Sequence, residues 1–398
     1  VSAAVLTSRS RWARIRDHLA EIGEPEFRFR QLISAWRGST AETFADVHTL
    51  PVGLRRELSE RFGEHLHPVT VVAVQHDDHV EKVLFASESG TRIETVVSHY
   101  REGWDSLCIS SQAGCGLGCT FCATGAAGLV RNLTVDEIAA QVMHPHWTRT
   151  GLPRPASVAF MGMGEALANP ALFDAVAFLT DADYAGLSPR RLTVSTVGFA
   201  PNLARLVDEH PQVTITLSVH SPFPDQRARI IPLEDRYPLA ENLTILDRYA
   251  AASRRKIYLA YLLIAGVNDS AEHLDALAEL VRERSRPELF HVSVIRYNDA
   301  TGADPTYRAP SSGRVDEFVQ RLHAKGIRAT RRRQLGTAID AACGQLHARY
   351  LEPGAAGPAP TAHNPSHYTD RSLRAVEGEP SHVHDLRRQP QRPHLRMA

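Results

Sequence analysis

Three rhythms of apolar and polar residues succeed one another along the 398-residue chain. Over residues 1–65 the apolar positions recur every three or four. "SRWARIRDHLAEIG" and "EPEFRFRQLISAWRG" predict helices, and "LPVGLRRELSERFG" predicts a third that stops at its closing glycine. Residues 69–100, "VTVVAVQHDDHVEKVLFASESGTRIETVVSHY", alternate and carry turn residues, which predicts antiparallel strands. From about residue 106 the pattern changes again. Apolar runs appear at "LCISS", "SVAFM", "RLTVST", "VTITLSV", "KIYLAYLLI", "FHVSVI" and "IRATR", with helical stretches between most of them. "LTVDEIAAQV" opens on a capping box, Thr134 to Glu137. "NPALFDAVAFL" offers Asn169 as an N-cap with Pro170 in the first turn. Strand–helix alternation predicts a parallel sheet, open or closed into a barrel, with chemistry at the carboxyl ends of its strands. Residues 353–398, rich in Pro, His and Arg without period, read as a disordered tail.

Composition narrows the class. Apolar residues make up 43% and charged residues 23%, ordinary for a globular protein. No apolar run reaches the roughly 18 residues that span a bilayer. "VSAAVLTSRSRWARIR" turns basic before a signal-peptide core can form, so a cytoplasmic protein is expected. Formal net charge is zero, and Lys82, Lys256 and Lys325 are the only lysines. The remaining cations are arginines, which suit phosphate contacts and base stacking, although a GC-rich genome gives the same bias.

The cysteines change the picture most. There are five, and three of them, Cys115, Cys119 and Cys122, fall within "CGLGCTFC". An odd, low count argues for metal or redox chemistry rather than a disulfide scaffold. A structural zinc site wants four ligands, usually two Cys-x2-Cys pairs, and no second pair exists. A ferredoxin cluster also wants four. Three thiolates can hold three irons of a [4Fe–4S] cube and leave the fourth open, and Gly114, Gly116 and Gly118 let the backbone wrap closely. "MGMGE" (161–165) follows an apolar run, and Glu165 can accept hydrogen bonds from a cationic amino group. "STVG" (195–198) and "LSVH" (217–220) end two later runs and present Ser195, Ser218 and His220 toward the same side. Helix capping and turn formation are the bland alternative for each of these motifs taken alone. The other thiols, Cys108 and Cys343, would by default be small buried hydrophobes. Against that default, Cys108 leads into the cysteine loop and Cys343 sits in the polar stretch "AIDAACGQL".

The Cys-x3-Cys-x2-Cys loop, with Phe121 before its last cysteine, resembles the signature of the radical S-adenosylmethionine (SAM) superfamily. "CISSQAGCGLGCTFCATG", "FMGMGEALAN", "STVG", "LSVHSPF", "RYN" and "IDAACGQL" occur in the order found in the RlmN/Cfr family of RNA adenine methyltransferases. The similarity runs from about residue 11 to 352. "GEALAN", "LSPRRL", "LSVHSPF", "YLAYLLIAGVNDS" and "IRYN" look more like the Cfr branch; Ala113 resembles the RlmN form, and Asp299 and "RRRQLGTA" depart from both.

That resemblance implies a fold, a chemistry and partners. The fold is a radical SAM partial (β/α)6 barrel (105–352) with an N-terminal helical accessory domain (1–65) and a small β extension (66–104). The chemistry is methylation of an adenosine of 23S rRNA in the peptidyl-transferase centre, at carbon 8 in the Cfr branch or carbon 2 in the RlmN branch, where tRNA is a further substrate. These carbons are electron-poor, so a methyl cation is useless to them and a carbon radical is needed. In the family's scheme Cys343 takes a methyl from a first SAM. A second SAM is cleaved at the cluster held by Cys115, Cys119 and Cys122. Hydrogen is abstracted from the methyl on Cys343, and the carbon adds to adenine. A base matching Glu94 removes the ring proton, and Cys108 pairs with Cys343 to release the product. The matching SAM contacts are Gly164, Glu165, Ser195, Ser218, Val219, His220 and Asn298. One cluster per chain, two SAM per turnover, an electron donor such as flavodoxin or ferredoxin, and a monomer are expected. The target base must be extruded to reach a buried site. The N-terminal helices and "RATRRR" (328–333) are candidate phosphate contacts. The rival of another class is a metal-stabilised RNA-binding protein without catalysis.

Overall fold

The computed structural model of the protein describes residues 10–38, 41–100, 104–148 and 155–346, and the backbone only of 145–148. The predicted tail, 353–398, lies outside the described residues. Three helices lead, α1 (Arg11–Glu21), α2 (Phe27–Gly38) and α3 (Val52–Phe62), as their apolar spacing predicts. An antiparallel meander follows: β1 (Val69–Asp77), β2 (Val80–Ser87) and β3 (Arg92–His99).

The strand–helix part begins with β4 (Asp105–Ile109), a short β5 (Gln112–Gly114), α4 (Ala123–Ala126), β6 (Leu129–Asn132) and α5 (Val135–Thr148). It continues through β7 (Ser157–Phe160), α6 (Leu172–Thr180), β8 (Leu192–Thr196), α7 (Ala200–Glu209), β9 (Thr214–Ser218), α8 (Pro224–Ile230) and α9 (Leu239–Ser253). It ends with β10 (Ile257–Leu263), α10 (Ala271–Arg282), β11 (Phe290–Arg296), α11 (Ser312–Ala324) and β12 (Ala329–Arg331). The order β4-β7-β8-β9-β10-β11-β12 is parallel throughout. Among the described residues no ladder joins β12 back to β1, so the barrel is partial.

Two features were not legible in the hydrophobic pattern. The meander is continuous with the barrel: β3 pairs antiparallel with β4, Val96 opposite Cys108, so ten strands share one sheet. The small hairpin β5–β6 brackets the cysteine loop at both ends.

The leading helices share the barrel's core. Trp36 packs tilted against Trp12 on one side and edge-on to Phe178 of α6 on the other, with ring centroids 5.4 and 5.6 Å away. Asp136 of α5 accepts from Ser10 Oγ and the Arg11 amide at 3.0 and 2.7 Å, which satisfies an otherwise orphaned helix start. The capping box at α5 forms as predicted: the Thr134 amide donates to Glu137 Oε2 at 2.8 Å, and the Glu137 amide to Thr134 Oγ1 at 3.2 Å. Asn169 departs from expectation. Ala171 precedes α6 as its N-cap, and Asn169 is buried, donating to the Ser111 and Leu133 carbonyls at 2.7 and 2.9 Å. It staples the loop after β7 to the segment entering the cysteine loop.

Candidate active site

The carboxyl ends of the parallel strands open into one cavity of about 280 Å3. All five cysteines line it.

The cysteine loop is shaped by its backbone. Gly114 has φ +75°, and a Cβ there would stand 1.9 Å from the Gly128 carbonyl oxygen, so only glycine fits. The Cys115 amide donates to that same carbonyl at 2.8 Å, and the Thr120 amide donates to the Ile230 carbonyl of α8 at 3.1 Å. Burial pushes the Cys115 thiol up to about 11 and the Cys119 thiol well above its ordinary value, and the neighbouring sulfurs add to both shifts. Three mutually repelling thiolates in such a place need a strong positive charge among them. Among the described residues no three His, Cys, Asp or Glu side chains converge as one metal ion would require. A cube that binds each thiolate through a different iron suits this looser arrangement better than a single zinc. The donor set and the glycine cradle therefore fit a [4Fe–4S] cluster.

The predicted SAM contacts divide. Gly164, Glu165, Ser195, Ser218, His220 and Asn298 all line the cavity. Val219 does not: its side chain is fully buried in the core, and its backbone joins Ala260 and Arg227 instead. Strand alternation turns it away from the neighbours that face the cavity. Gly164 has φ +98°, and a Cβ would meet Gln112 Cβ at 2.5 Å. Gln112 Oε1 in turn accepts from the Glu165 amide at 2.9 Å. Burial raises the Glu165 carboxyl, while hydrogen bonds from the Val197 and Leu167 amides, at 3.0 and 3.1 Å, oppose the rise. His220, at φ +57°, accepts at Nδ1 from the Leu262 amide at 3.1 Å. Burial, and then the Arg227 charge, push His220 down to about 3, so it is neutral at physiological pH.

Gly164→Ala is expected to destabilise the fold by about 2–4 kcal/mol and to weaken SAM binding, since it combines a forbidden φ with a clash. Gly116→Ala is the control, its Cβ meeting only the Leu129 side chain at an ordinary 3.5 Å. Equal denaturation midpoints for the two variants would contradict this reading.

Cys108, next to last in β4, faces the cavity; burial, then Cys343, push its thiol up to about 12. The Cys343 segment is tied across the site. Asn298 Nδ2 donates to the Cys343 carbonyl at 3.2 Å, and the Ala123 amide to the Gly344 carbonyl at 3.0 Å. Thr124 Oγ1 donates to the Leu346 carbonyl at 2.5 Å. Asn298 thus lines the cavity while also anchoring the Cys343 loop.

Glu94 is 1% exposed and does not line the cavity, although Val96 and Ser98, on the same face of β3, do. Its carboxylate lies 3.4 Å from Lys82 Nζ, itself buried and 3.5 Å from the Asp340 carbonyl. It is no surface glutamate, yet its access to a substrate is not direct.

Sequence reasoning missed Gln112 and Arg227, and read Arg332 only as one of the candidate phosphate contacts at 328–333. Arg227 is fully buried, pairs with Glu234, and donates to the Val219, Val197 and Ser218 carbonyls at 3.0, 2.6 and 2.8 Å, joining the ends of β8 and β9. A basic residue in the amphipathic "PDQRARI" gives no local hint of burial. Of the arginines at 328–333, Arg331 is held bidentately by Asp316 at 2.9 Å and Arg328 donates to the Glu288 carbonyl at 2.8 Å. Arg332 and Arg333 line the cavity.

A partial parallel barrel with three thiols on one loop at its carboxyl-end cavity defines a radical SAM enzyme. Residues 109–281 match the Radical SAM superfamily. The chain is 42% identical over 344 residues to the ribosomal RNA large subunit methyltransferase Cfr of Staphylococcus warneri, covering 86% of this chain and 98% of that protein. It is also 42% identical over 346 residues to the Cfr of Bacillus velezensis, covering 87% and 98%. The crystal structure of a radical SAM methyltransferase from Sphaerobacter thermophilus superposes with a TM-score of 0.77 at 37% identity, over 85% of this chain and 97% of that one. The chain belongs to the Cfr family of radical SAM ribosomal RNA methyltransferases. Membership brings a [4Fe–4S] cluster and SAM as cofactors. Among the described residues no helix is long and apolar enough to cross a membrane.

Proposed function

We propose that the protein methylates carbon 8 of adenosine 2503 of 23S ribosomal RNA through a methylated Cys343, giving resistance to antibiotics of the peptidyl-transferase centre. The observation that carries this reading is the convergence of all five cysteines on one cavity. A cluster-stabilised binding protein would need three of them. Carbon 8 rather than carbon 2 is supported by the 42% identity to Cfr over nearly the whole of that protein.

Cys115, Cys119 and Cys122 would hold the cluster, which when bound supplies the electron that cleaves SAM to a 5′-deoxyadenosyl radical. The Glu165 carboxylate and the backbone at Gly164 would position the amino group of SAM, with Ser195, Ser218, His220 and Asn298 around it. Cys343 is the methyl carrier. Its loop, tied to Ala123 and Asn298, keeps its sulfur at the cavity that the cluster loop lines. Cys108 is the resolving thiol. Glu94, with Lys82 as its partner, is the proposed proton acceptor, one pleat along β3 from Val96 of the cavity wall. One cluster per chain and two SAM per turnover follow from this division of labour. The working form is a cytoplasmic monomer that draws electrons from a flavodoxin- or ferredoxin-like donor.

The test is mass spectrometry of the rRNA fragment from cells expressing the protein in a host without its own methylation at that adenosine. A methyl group at carbon 8 is expected. A methyl only at carbon 2 would assign the RlmN reaction instead, and an unmodified fragment from iron-loaded, expressed protein would overturn the reading.

A further inference from the structure

Arg332 has no role in the scheme above, yet it occupies a distinctive place. It follows β12 and lines the same cavity as Cys108 and Cys343. Its backbone is fixed, the amide donating to the Val294 carbonyl at 2.8 Å. Its two terminal guanidinium nitrogens approach Met161 Sδ at 3.3 and 3.2 Å, a weak acceptor for so strong a donor. Its neighbour Arg331 is neutralised by Asp316 and the buried Arg227 by Glu234. Among the described residues no Asp or Glu forms an ion pair with Arg332. The groups that hold it charged are Cys343 first, then Cys108 and Tyr100. A guanidinium is always charged, so one beside a cavity without a carboxylate is available to an anion formed there.

We propose that Arg332 is the positioning residue of the sulfur pair, its guanidinium stabilising Cys108 as the thiolate that attacks Cys343. The proposal rests on the resolving role assigned to Cys108 above. In that step the Cys108 thiolate attacks the Cys343 sulfur and an S–S bond forms. The bond from Cys343 sulfur to the carbon on the base breaks, its electron pair goes to that carbon, and a proton from solvent completes the methyl group. Both sulfurs are oxidised and the carbon is reduced, so no outside oxidant is needed. The thiolate is the nucleophile in such exchanges, and Cys108 is poorly placed to form one. Burial opposes its ionisation, and so does Cys343, while Arg332 and the Met161 backbone amide oppose both. The elements beside Cys108 offer little else: Val96 of β3 and Ala159 of β7 are its strand partners, and Ala341 and Leu335 pack near it. On the same face, one strand beyond Val96, Lys82 is paired with Glu94 and so brings no net charge toward Cys108. Arg332 and Arg333 both line the cavity, and Arg332 is the one whose charge bears on the two sulfurs.

The experiment compares anaerobically purified, iron-loaded R332Q, R332K and Cys108→Ala proteins for RNA covalently attached through Cys343. R332Q is expected to carry at least about tenfold more adduct than the wild type, and its adduct should resolve faster as the pH rises from 7 to 9, because the small thiolate fraction of Cys108 grows about tenfold with each pH unit. R332K should stay near the wild-type level. A residue that only shaped the loop would, when lost, reduce adduct formation rather than increase it. An R332Q protein with full iron and no excess adduct, alongside a Cys108→Ala protein that does trap RNA, would overturn the proposal. So would R332K trapping as much RNA as R332Q. Absence of adduct from Cys108→Ala itself would instead overturn the role of Cys108 in the proposed function.

A second measurement decides the matter without turnover. In iron-loaded Cys343→Ser protein, Cys108 is the one thiol not on the cluster. Adding R332Q should slow its alkylation by iodoacetamide at pH 8.5 by about tenfold or more, one unit of ionisation equilibrium being a factor of ten. An equal or faster rate overturns the proposal.

Discussion

Cys108→Ala protein is expected to leave cells with RNA covalently bound, stable to boiling in detergent and removed by nuclease. In the proposed scheme Cys108 acts after the carbon–carbon bond has formed, so its loss traps the RNA on Cys343 and does not prevent attack. Release of methylated product should fall by about a thousandfold or more, the scale on which loss of a covalent catalyst is felt. Adding Cys343→Ala should abolish the adduct, because the linking sulfur is gone. A cysteine that merely filled space would behave otherwise. Its truncation would cost roughly 1–3 kcal/mol of stability and attach no RNA. Folded, iron-loaded, RNA-free Cys108→Ala protein would therefore count decisively against the assignment.

Cys343→Ala alone should retain iron, bind SAM and methylate nothing. Its segment is anchored through backbone carbonyls, by Asn298 at residue 343 and by the Ala123 amide at residue 344, and alanine keeps both carbonyls. The loop should hold its place while the methyl carrier disappears. Intact-mass analysis of wild-type protein from cells should show one methyl group on Cys343, absent from the variant. Sustained rRNA methylation by the alanine variant would show that the methyl travels by another route.

These expectations rest on residues that declare themselves in one dimension. Three cysteines at fixed spacing, framed by glycines, read as a cluster loop because the ligands of a small inorganic group can come from a single turn. Apolar runs of strand length separated by amphipathic stretches read as a parallel sheet for a similar reason: each element's periodicity is a property of its own few residues. The helices at 11–62 and the capping box at Thr134 and Glu137 follow the same logic.

The fold decided what local pattern could not. Strand order and register set which residues meet across the sheet, and neither is written in any one strand. Thus Lys82 and Glu94 become a buried pair because β2 and β3 are neighbours, and the predicted base withdraws from the cavity. Val219 lies among residues that face the site, but the pleat turns it into the core. Asn169 reads as a helix cap and is instead a buried staple between loops, because the chain after β7 runs against Ser111 and Leu133. Arg332 stands among look-alike arginines, and only a contact with Met161, 171 residues away in the chain, sets it apart from Arg331. The sequence by itself determined the chemistry this protein can hold, because reactive groups cluster in short motifs. The tertiary structure decided which charges stand beside them, because a charge is tuned by neighbours in space and those come from distant parts of the chain.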